Sequence, residues 1–328
     1  MPKAIVMGDP AHFSVRGGAN PHTRNVLGMR KRVDPELARR QWHALARALI
    51  AHGVNICVIG PDRNLSGLVY PANAGFLYPP SGPERIFYLA NLLPTRAAER
   101  EVYSPFIRAM GLPTRDIESR FEGEADLFPA GRFMIFTHGA IERQRFAPRL
   151  GLPPWRRIYG FRSDKNALGE LQHIARDHRP LLKLELALEA HYHGDTVLSS
   201  FGPDREFMLA YMAGLSAESQ QRLRDAFDRN LIELSERDGR LYAANSFQTD
   251  FAGKLYLFLP EGVSDALLKR VRERAVEPVT VNVSEFLAKG GGSIKCMILD
   301  LGQIADLPPA AEARAFRGCR SYSTLFEN

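Results

Sequence analysis

The sequence has few cysteines and no long apolar stretch, and each shortage excludes a class of protein. Its 328 residues include three cysteines, and an odd number cannot form a complete set of disulfide pairs. We therefore expect a reducing, cytoplasmic setting. No apolar run reaches the ~18 residues of a membrane-spanning helix, and the first residues lack the residue order of a signal peptide. A membrane partner is not expected.

The charge of the chain indicates a basic surface but no nucleic-acid partner. The formal net charge is +6, and the basic residues are scattered along the sequence. A nucleic-acid-binding protein is expected to carry a known binding module or interleaved aromatic and basic residues, and neither is present. The scattered charge is typical of a solvated surface.

Short apolar strands alternate with amphipathic helices along the whole chain. For example, helical spacing over Pro35–Ala51 is followed by Gly53 and then by a strand over Val54–Ile59. Several short strands accompany each helix, unlike a doubly wound sheet with one strand per helix. The pattern predicts an α/β protein built of repeated small units around a centre.

The organisation of the chain predicts one domain over residues 1–328, because no Pro/Ser-rich linker divides it. Residues 139–159 are rich in proline and arginine, and we interpret them as an inserted surface loop that can serve as a lid. Three further elements are predicted from the apolar pattern: strands over 67–70 and 294–299, and a long helix over 216–235.

Cys296 is the most informative residue, since it comes shortly after the three consecutive glycines at 290–292 and lies in the apolar segment 294–299. Glycine lets a backbone approach a ligand closely, so a thiol after such a run can lie at the rim of a pocket. His193 can take the thiol proton and later return it to a leaving group. Glu122 can orient that histidine or bind a cation. Taken alone, each of these residues is also typical of an ordinary core or surface side chain without a catalytic role.

Carboxylates beside a thiol favour a guanidinium substrate, because they hold its planar N–H fork and fix its carbon for attack. Asp195 lies two residues from His193 and, in an extended backbone, points to the same side. A metal site is not predicted, since His191 and His193 are wrongly spaced for a helical pair and no CxxC is present.

Four motifs in this order resemble those of the guanidino-group modifying enzymes, and the likeness spans about residues 7–299. These enzymes are the amidinotransferases, arginine deiminases, dimethylarginine dimethylaminohydrolases and arginine dihydrolases. The motifs are FEGEADL at 121–127, YGFRSD at 159–164, YHGDT at 192–196 and SEFLAKGGGSIKC at 284–296. Segments at 20–21 and 72–75 also resemble the family.

The resemblance implies a pentein fold, a five-bladed pseudo-symmetric α/β propeller, and a covalent mechanism without cofactor. Cys296 would attack the guanidinium carbon, and His193 would protonate the departing amine and then activate water. Glu122 would support His193 and the cationic substrate, while Asp195 would bind the guanidinium. Arg162 matches the position that holds a substrate carboxylate in relatives, and Asp126 would support the site from behind.

Two departures from the family bear on the reaction. Deiminating relatives carry an acid just before the segment 72–75, and here the stretch 65–68 has none. Asn20 and Asn73 resemble the asparagines of arginine dihydrolases, which hydrolyse twice and release ornithine. Gly194 stands where relatives often have a larger apolar residue.

The sequence therefore predicts a cysteine-dependent hydrolase of arginine or an arginine-like guanidino compound, closest to the dihydrolases. An amidinotransferase would use the same thiol and histidine, with an amine in place of water. A non-catalytic pentein binding protein is the alternative of another class, but it would not need Cys296, His193 and Glu122 together. Dimers are common among such relatives, so a homodimer is one expected assembly.

Overall fold

The computed structural model describes residues 3–16, 20–25, 27–80, 82, 84–151, 154–175, 179–303 and 319–325. None of the helices in these ranges has both the length and the apolar character needed to cross a bilayer.

The described chain alternates strands and helices as the sequence pattern predicts. The helices are α1 Pro35–Ala51, α2 Arg100–Ala109, α3 Ala167–Ala175, α4 Ala217–Phe227, α5 Glu236–Arg240, α6 Asp265–Arg272 and α7 Ser284–Gly290. The strands are β1 Lys3–Gly8, β2 Val54–Ile59, β3 Gly75–Tyr78, β4 Ile86–Leu89, β5 Thr114–Asp116, β6 Leu127–Ala130, β7 Phe133–His138, β8 Arg145–Pro148, β9 Trp155–Ile158, β10 Leu181–Glu185, β11 Leu198–Phe201, β12 Phe207–Ala210, β13 Leu231–Glu233, β14 Phe247–Phe251, β15 Lys254–Pro260, β16 Val276–Val281, β17 Leu299–Gln303 and β18 Cys319–Ser321.

One topology recurs in five sheets. In the order β3-β4-β5, the first pair is antiparallel, the second is parallel, and α2 connects the parallel strands. The same arrangement occurs in β6-β7-β10, β11-β12-β13 and β14-β15-β16. The fifth sheet joins both ends of the described chain, because β17 pairs with β1, which runs parallel to β2. The predicted mixed α/β fold is confirmed.

Helix α1 illustrates why the sequence forms these units. Asp34 caps it by accepting the backbone N–H groups of Glu36 and Leu37, and proline occupies its first turn. Trp42, Leu45 and Leu49 lie on one face and are fully buried. That face packs in a core cluster with apolar residues of β1 and β2, so burial of the helix face holds the helix on its sheet.

Three local predictions are wrong, each for a physical reason. Residues 66–69 form a 3-10 turn rather than a strand. Helix α4 ends at Phe227, not at 235, because Asp228 has a positive φ of 42° and β13 then pairs with β12. The segment that begins at 294 is a 3-10 turn over Lys295–Met297, and its strand starts only at Leu299. An apolar run alone does not distinguish a buried turn from a strand.

The stretch 139–159 contains a β-hairpin, in which β8 and β9 pair antiparallel. Its side chains are largely exposed, with Phe146 at 65% and Trp155 at 51%. Leu152 and Pro153, which belong to the predicted loop, lie outside the described residues. That the hairpin is an insertion and serves as a lid stays a prediction.

Candidate active site

The candidate site is built from short turns that precede the first strand of each unit. The turn Pro71–Ala74 leads into β3, Gly123–Ala125 into β6, Gly194–Thr196 into β11 and Lys295–Met297 into β17. The turn 71–74 contacts those at 123–125 and 295–297, and the turn 123–125 contacts that at 194–196. Equivalent turns of different units therefore meet and bring their side chains together.

Glu122 and His193 form a buried pair at the centre of these turns. The His193 Nε2 atom lies 2.9 Å from Glu122 Oε2, and Glu122 Oε1 accepts the backbone N–H of Leu93 at 3.0 Å. Burial alone would raise the pKa of Glu122, but the hydrogen bond and charge of His193, with Arg96 and Arg162, lower it to about 2. Glu122 is therefore ionised at neutral pH and holds the imidazole by its Nε2 atom.

Asn73 completes this pair. Its Nδ2 atom lies 3.1 Å from His193 Nε2 and 3.3 Å from Glu122 Oε2, and the residue is buried. The Asn73 amide thus contacts both members of the Glu122–His193 pair. The structure brings together these three residues, which the sequence assigns to the site on separate motifs.

Asp126 supports the turns from beneath. Its Oδ1 atom accepts the Thr137 hydroxyl at 2.6 Å and the Gly194 backbone N–H at 2.8 Å, and Oδ2 accepts the Ser163 hydroxyl at 2.6 Å. Oδ2 is 4.0 Å from His193 Nε2. Burial raises the pKa of Asp126 above its usual value, although the charge of His193 and these hydrogen bonds act in the opposite direction. The carboxyl therefore fixes the backbone just after His193.

Cys296 lies in the turn before β17, buried and at 3% exposure. The prediction that it lies in a strand is thus wrong, because the strand starts only at Leu299. Its Sγ atom lies 3.1 Å from Asn245 Nδ2 and 3.5 Å from Asp195 Oδ2. Burial, with the charge of Asp195, raises the pKa of the thiol well above its usual value. Burial likewise raises the pKa of Asp195 to about 6. The thiol is therefore protonated at neutral pH without a bound cation.

A cavity of about 400 Å³ opens beside the Glu122–His193 pair. Its other lining residues include Asn20, Arg162 and Arg96. The Asn20 amide donates to Gly290 O at 2.8 Å and so holds the start of the glycine run. Asp195 instead lines a neighbouring cavity of about 80 Å³. A Cβ atom on Gly292 would lie 2.5 Å from the Tyr70 ring and 3.0 Å from Cys296 Cβ, so only glycine lets them approach this closely.

Three arginines, Arg16, Arg96 and Arg162, line the cavity together with the carboxylates of Glu99 and Glu122. The Arg162 guanidinium donates to Gly160 O at 2.9 Å and lies 4.7 Å from the centre of the Tyr192 ring. Arg96 donates two hydrogen bonds to Glu99, from Nη2 to Oε2 at 2.7 Å and from Nε to Oε1 at 2.9 Å. Arg162 was predicted and Arg96 was not, because Arg96 lies outside the family motifs. Its signal in the sequence is only the spacing Arg-x-x-Glu.

Asn245 is the second residue that the sequence analysis missed. It lies in the loop before β14, the position in this unit that matches the other site turns. Comparing the five units would have drawn attention to a polar residue there. Among the described residues, no group of three or more His, Cys, Asp and Glu side chains could hold a metal ion.

We expect Gly194→Leu to destabilise the protein and the site. A Cβ atom at Gly194 would lie 2.2 Å from Thr137 Oγ1 and 2.6 Å from its Cγ2, so a larger side chain displaces the donor to Asp126. Overpacking of this kind costs about 1–3 kcal/mol. Urea unfolding measures the loss, and Thr137→Ala in the same chain should partly restore stability. An unchanged unfolding midpoint in Gly194→Leu would contradict the crowding.

Comparison with known proteins relates the chain to hydrolases of methylated and free arginine. A family model described as eukaryotic N,N dimethylarginine dimethylhydrolase matches residues 182–303, the range that holds His193, Asp195 and Cys296. The N(G),N(G)-dimethylarginine dimethylaminohydrolase of Mycobacterium tuberculosis is 27% identical over 303 residues, which cover 91% of this chain and 86% of the relative.

Solved structures share the fold. The N-terminal domain of ArgZ, an arginine dihydrolase from Cyanobacteria with product bound, matches at a TM-score of 0.74 and 20% identity, over 92% of this chain and 98% of that one. An ArgZ variant covalently bound to a reaction intermediate matches at 0.75 and 20%, over 91% and 97%. A dimethylarginine dimethylaminohydrolase adduct with S-methyl-L-thiocitrulline matches at 0.65 and 20%, over 92% and 100%. The chain is therefore similar in sequence to a dimethylarginine dimethylaminohydrolase and in fold to arginine dihydrolases, which agrees with the resemblance that its four motifs carry.

Proposed function

We propose that the protein hydrolyses the guanidino group of arginine or an arginine-like compound through a covalent amidino-cysteine intermediate. One observation carries the proposal: the buried Cys296 thiol lies 3.5 Å from Asp195, two residues along the chain from His193, which pairs with Glu122 beside the 400 Å³ cavity. The homologues are named as hydrolases of arginine compounds, which supports the same class of reaction.

The charges of the site suit both ends of an arginine molecule. Asp195 Oδ1 is buried, and no donor among the described residues reaches it, so a guanidinium N–H would satisfy this oxygen. Glu122, ionised nearby, adds a second negative charge. Arg162 at the cavity wall suits the substrate carboxylate, whereas Arg96 is paired with Glu99.

A bound guanidinium would also prepare the nucleophile. A positive charge beside Cys296 and Asp195 lowers the pKa of both groups, because it stabilises their charged forms. The thiol then loses its proton only when substrate is present. This arrangement protects the resting cysteine from reaction with other electrophiles.

The reaction then runs in two stages. The Cys296 sulfur attacks the guanidinium carbon, forming a C–S bond, and the C–N bond to the leaving amine breaks as His193 gives that nitrogen a proton. Water next attacks the amidino carbon while His193 takes a water proton, and the C–S bond breaks. A first hydrolysis of arginine releases ammonia and citrulline; a second, on the ureido group, releases ornithine, carbon dioxide and a second ammonia.

The test is mass spectrometry of products from isotopically labelled arginine and, in parallel, labelled monomethyl- and dimethylarginine. Ornithine with two ammonia per arginine is the result expected of a dihydrolase. Citrulline from the methylated substrates, with release of methylamines, would assign the activity of the Mycobacterium relative instead. No hydrolysis of any of these substrates would overturn the proposal, and transfer to added glycine would identify an amidinotransferase.

Asn73→Asp should shift the product of arginine from ornithine toward citrulline. The new carboxylate would lie beside Glu122 and His193, where it strengthens the hold on a cation relative to a neutral ureido compound. The ureido intermediate would then leave before its second hydrolysis. The measurement is the ornithine-to-citrulline ratio, and a ratio equal to that of the unmodified protein would argue against a role of Asn73 in the second step.

We also propose that the five units are the blades of a pentein propeller within one domain over residues 1–328. Five sheets of one topology support this arrangement, as does the pairing of β17 with β1, which joins the ends of the described chain in a single sheet. Removing β17 and all that follows should therefore disrupt the first unit.

A further inference from the structure

The side-chain amide of Asn245 uses all its hydrogen-bonding positions on the surroundings of Cys296. Its Oδ1 atom accepts the backbone N–H groups of Ser293 and Cys296, at 3.2 and 3.1 Å. Its Nδ2 atom donates to Asp195 O at 3.0 Å and to Cys296 Sγ at 3.1 Å. The residue is fully buried, so water does not compete for these bonds.

The orientation of this amide follows from its partners. Backbone N–H groups only donate, so the oxygen of Asn245 must face Ser293 and Cys296. The NH₂ group is then fixed on the other side, facing the sulfur. Asn245 thus presents an N–H donor to Sγ, which stabilises the thiolate more than the thiol.

The Asn245 N–H group and the Asp195 carboxylate have opposite effects on the pKa of the Cys296 thiol. Asp195 Oδ2 lies 3.5 Å from Sγ, and its charge raises the pKa of the thiol, whereas the Asn245 bond lowers it. The backbone carbonyl of Asn245 also accepts the Lys295 N–H at 3.2 Å. The same residue therefore fixes the turn and balances the charge on the nucleophile.

We propose that Asn245 is a positioning residue that orients the Cys296 turn and stabilises the thiolate through its Nδ2–H group. The proposal rests on the assignment of Cys296 as nucleophile under the proposed function. The proposed effect of Asn245 on Cys296 is electrostatic. If Asn245 only held the turn, it would keep water from the sulfur but would not lower the pKa of the thiol.

The test is the pH dependence of Cys296 alkylation by iodoacetamide, followed by peptide mass spectrometry, in the full chain and in Asn245→Ala. Loss of the donor should move the midpoint up by about one to two pKa units, the worth of a hydrogen bond to a charged group. If Asn245 only holds the turn, its loss admits water to the buried thiol, and the midpoint stays or moves down. Either of those results would overturn the proposal.

Ser246→Ala is the matched control. Ser246 follows Asn245 in the chain, and its replacement removes a buried hydrogen bond of 2.7 Å to Ser199 without affecting a contact of the sulfur. The midpoint pH of Cys296 alkylation should therefore stay unchanged in this variant. A shift as large as that of Asn245→Ala would assign the effect to general loosening and also overturn the proposal.

Asn245→Asp keeps the experiment decisive if the alanine variant does not fold, because its oxygen can still accept the two backbone N–H groups. Asn245→Asp replaces the N–H donor to the sulfur with a negative charge. The midpoint pH of Cys296 alkylation should therefore rise by at least as much as expected for Asn245→Ala. An unchanged midpoint would contradict the proposal. Since alkylation needs no substrate, this outcome is independent of whether arginine is turned over.

Discussion

Replacing Cys296 by serine is expected to lower kcat for arginine by about 10⁴-fold or more, a loss typical of removing a covalent nucleophile. A serine hydroxyl is a far weaker acid than a thiol, and its environment here is unfavourable for an anion. The side chain is buried, and Asp195 lies 3.5 Å from Sγ. Substrate affinity should change little, because the guanidinium is held by carboxylates and not by the sulfur.

Product analysis by mass spectrometry measures this loss, and intact-protein mass detects the amidino adduct that only the thiol can form. Cys57→Ser is the matched control. Cys57 lies on β2, where burial raises its pKa to about 11, and its loss should leave turnover and adduct unchanged. Turnover by Cys296→Ser within tenfold of the unmodified protein would exclude the covalent mechanism.

Replacing His193 by glycine is the second change of large expected effect, with kcat for arginine reduced by about 10³-fold. The departing amine then lacks its proton donor, and the attacking water lacks its base. S-methyl-L-thiocitrulline separates these two roles, because methanethiolate leaves without being protonated first. We expect this compound to form the covalent adduct on Cys296 in His193→Gly and the adduct to resist hydrolysis.

Intact-protein mass spectrometry over time measures adduct formation and decay. His191→Gly is the control, since His191 is also buried but packs against Tyr242 and Tyr211, and burial lowers its pKa to about 4. Its adduct should decay as in the unmodified protein. Decay in His193→Gly at that same rate would assign activation of water to another residue.

Local elements follow closely from the sequence where one face of an element is apolar and its ends carry recognisable signals. The bounds of α1 and β2 agree with the predicted 35–51 and 54–59, because Asp34, Pro35 and Gly53 mark the helix ends. The end of α4 was missed because the helical apolar spacing was given more weight than Asp228 and Asn230, residue types that favour turns. Pairing of β13 with β12 decides that boundary.

The candidate site was also only partly accessible to sequence reasoning. Glu122, His193, Asp195 and Cys296 stand in motifs whose residue types indicate nucleophilic chemistry on a cation. Asn245 stands in a turn of mostly apolar, buried residues that matches no recognised motif, and its role is evident only from the contact of its amide with Sγ. A residue whose function depends on contacts with distant residues leaves no local periodicity to detect.

By itself, the sequence determined the chemical groups available, the order of the motifs and the alternation of strands with helices. These properties depend on residue type and on neighbours a few positions away. Only the tertiary structure decided which groups meet: Glu122 and His193 are 71 residues apart, and Asn245 and Cys296 are 51 apart. The turns that carry them meet because five separate units pack together, and such packing is a property of the whole chain.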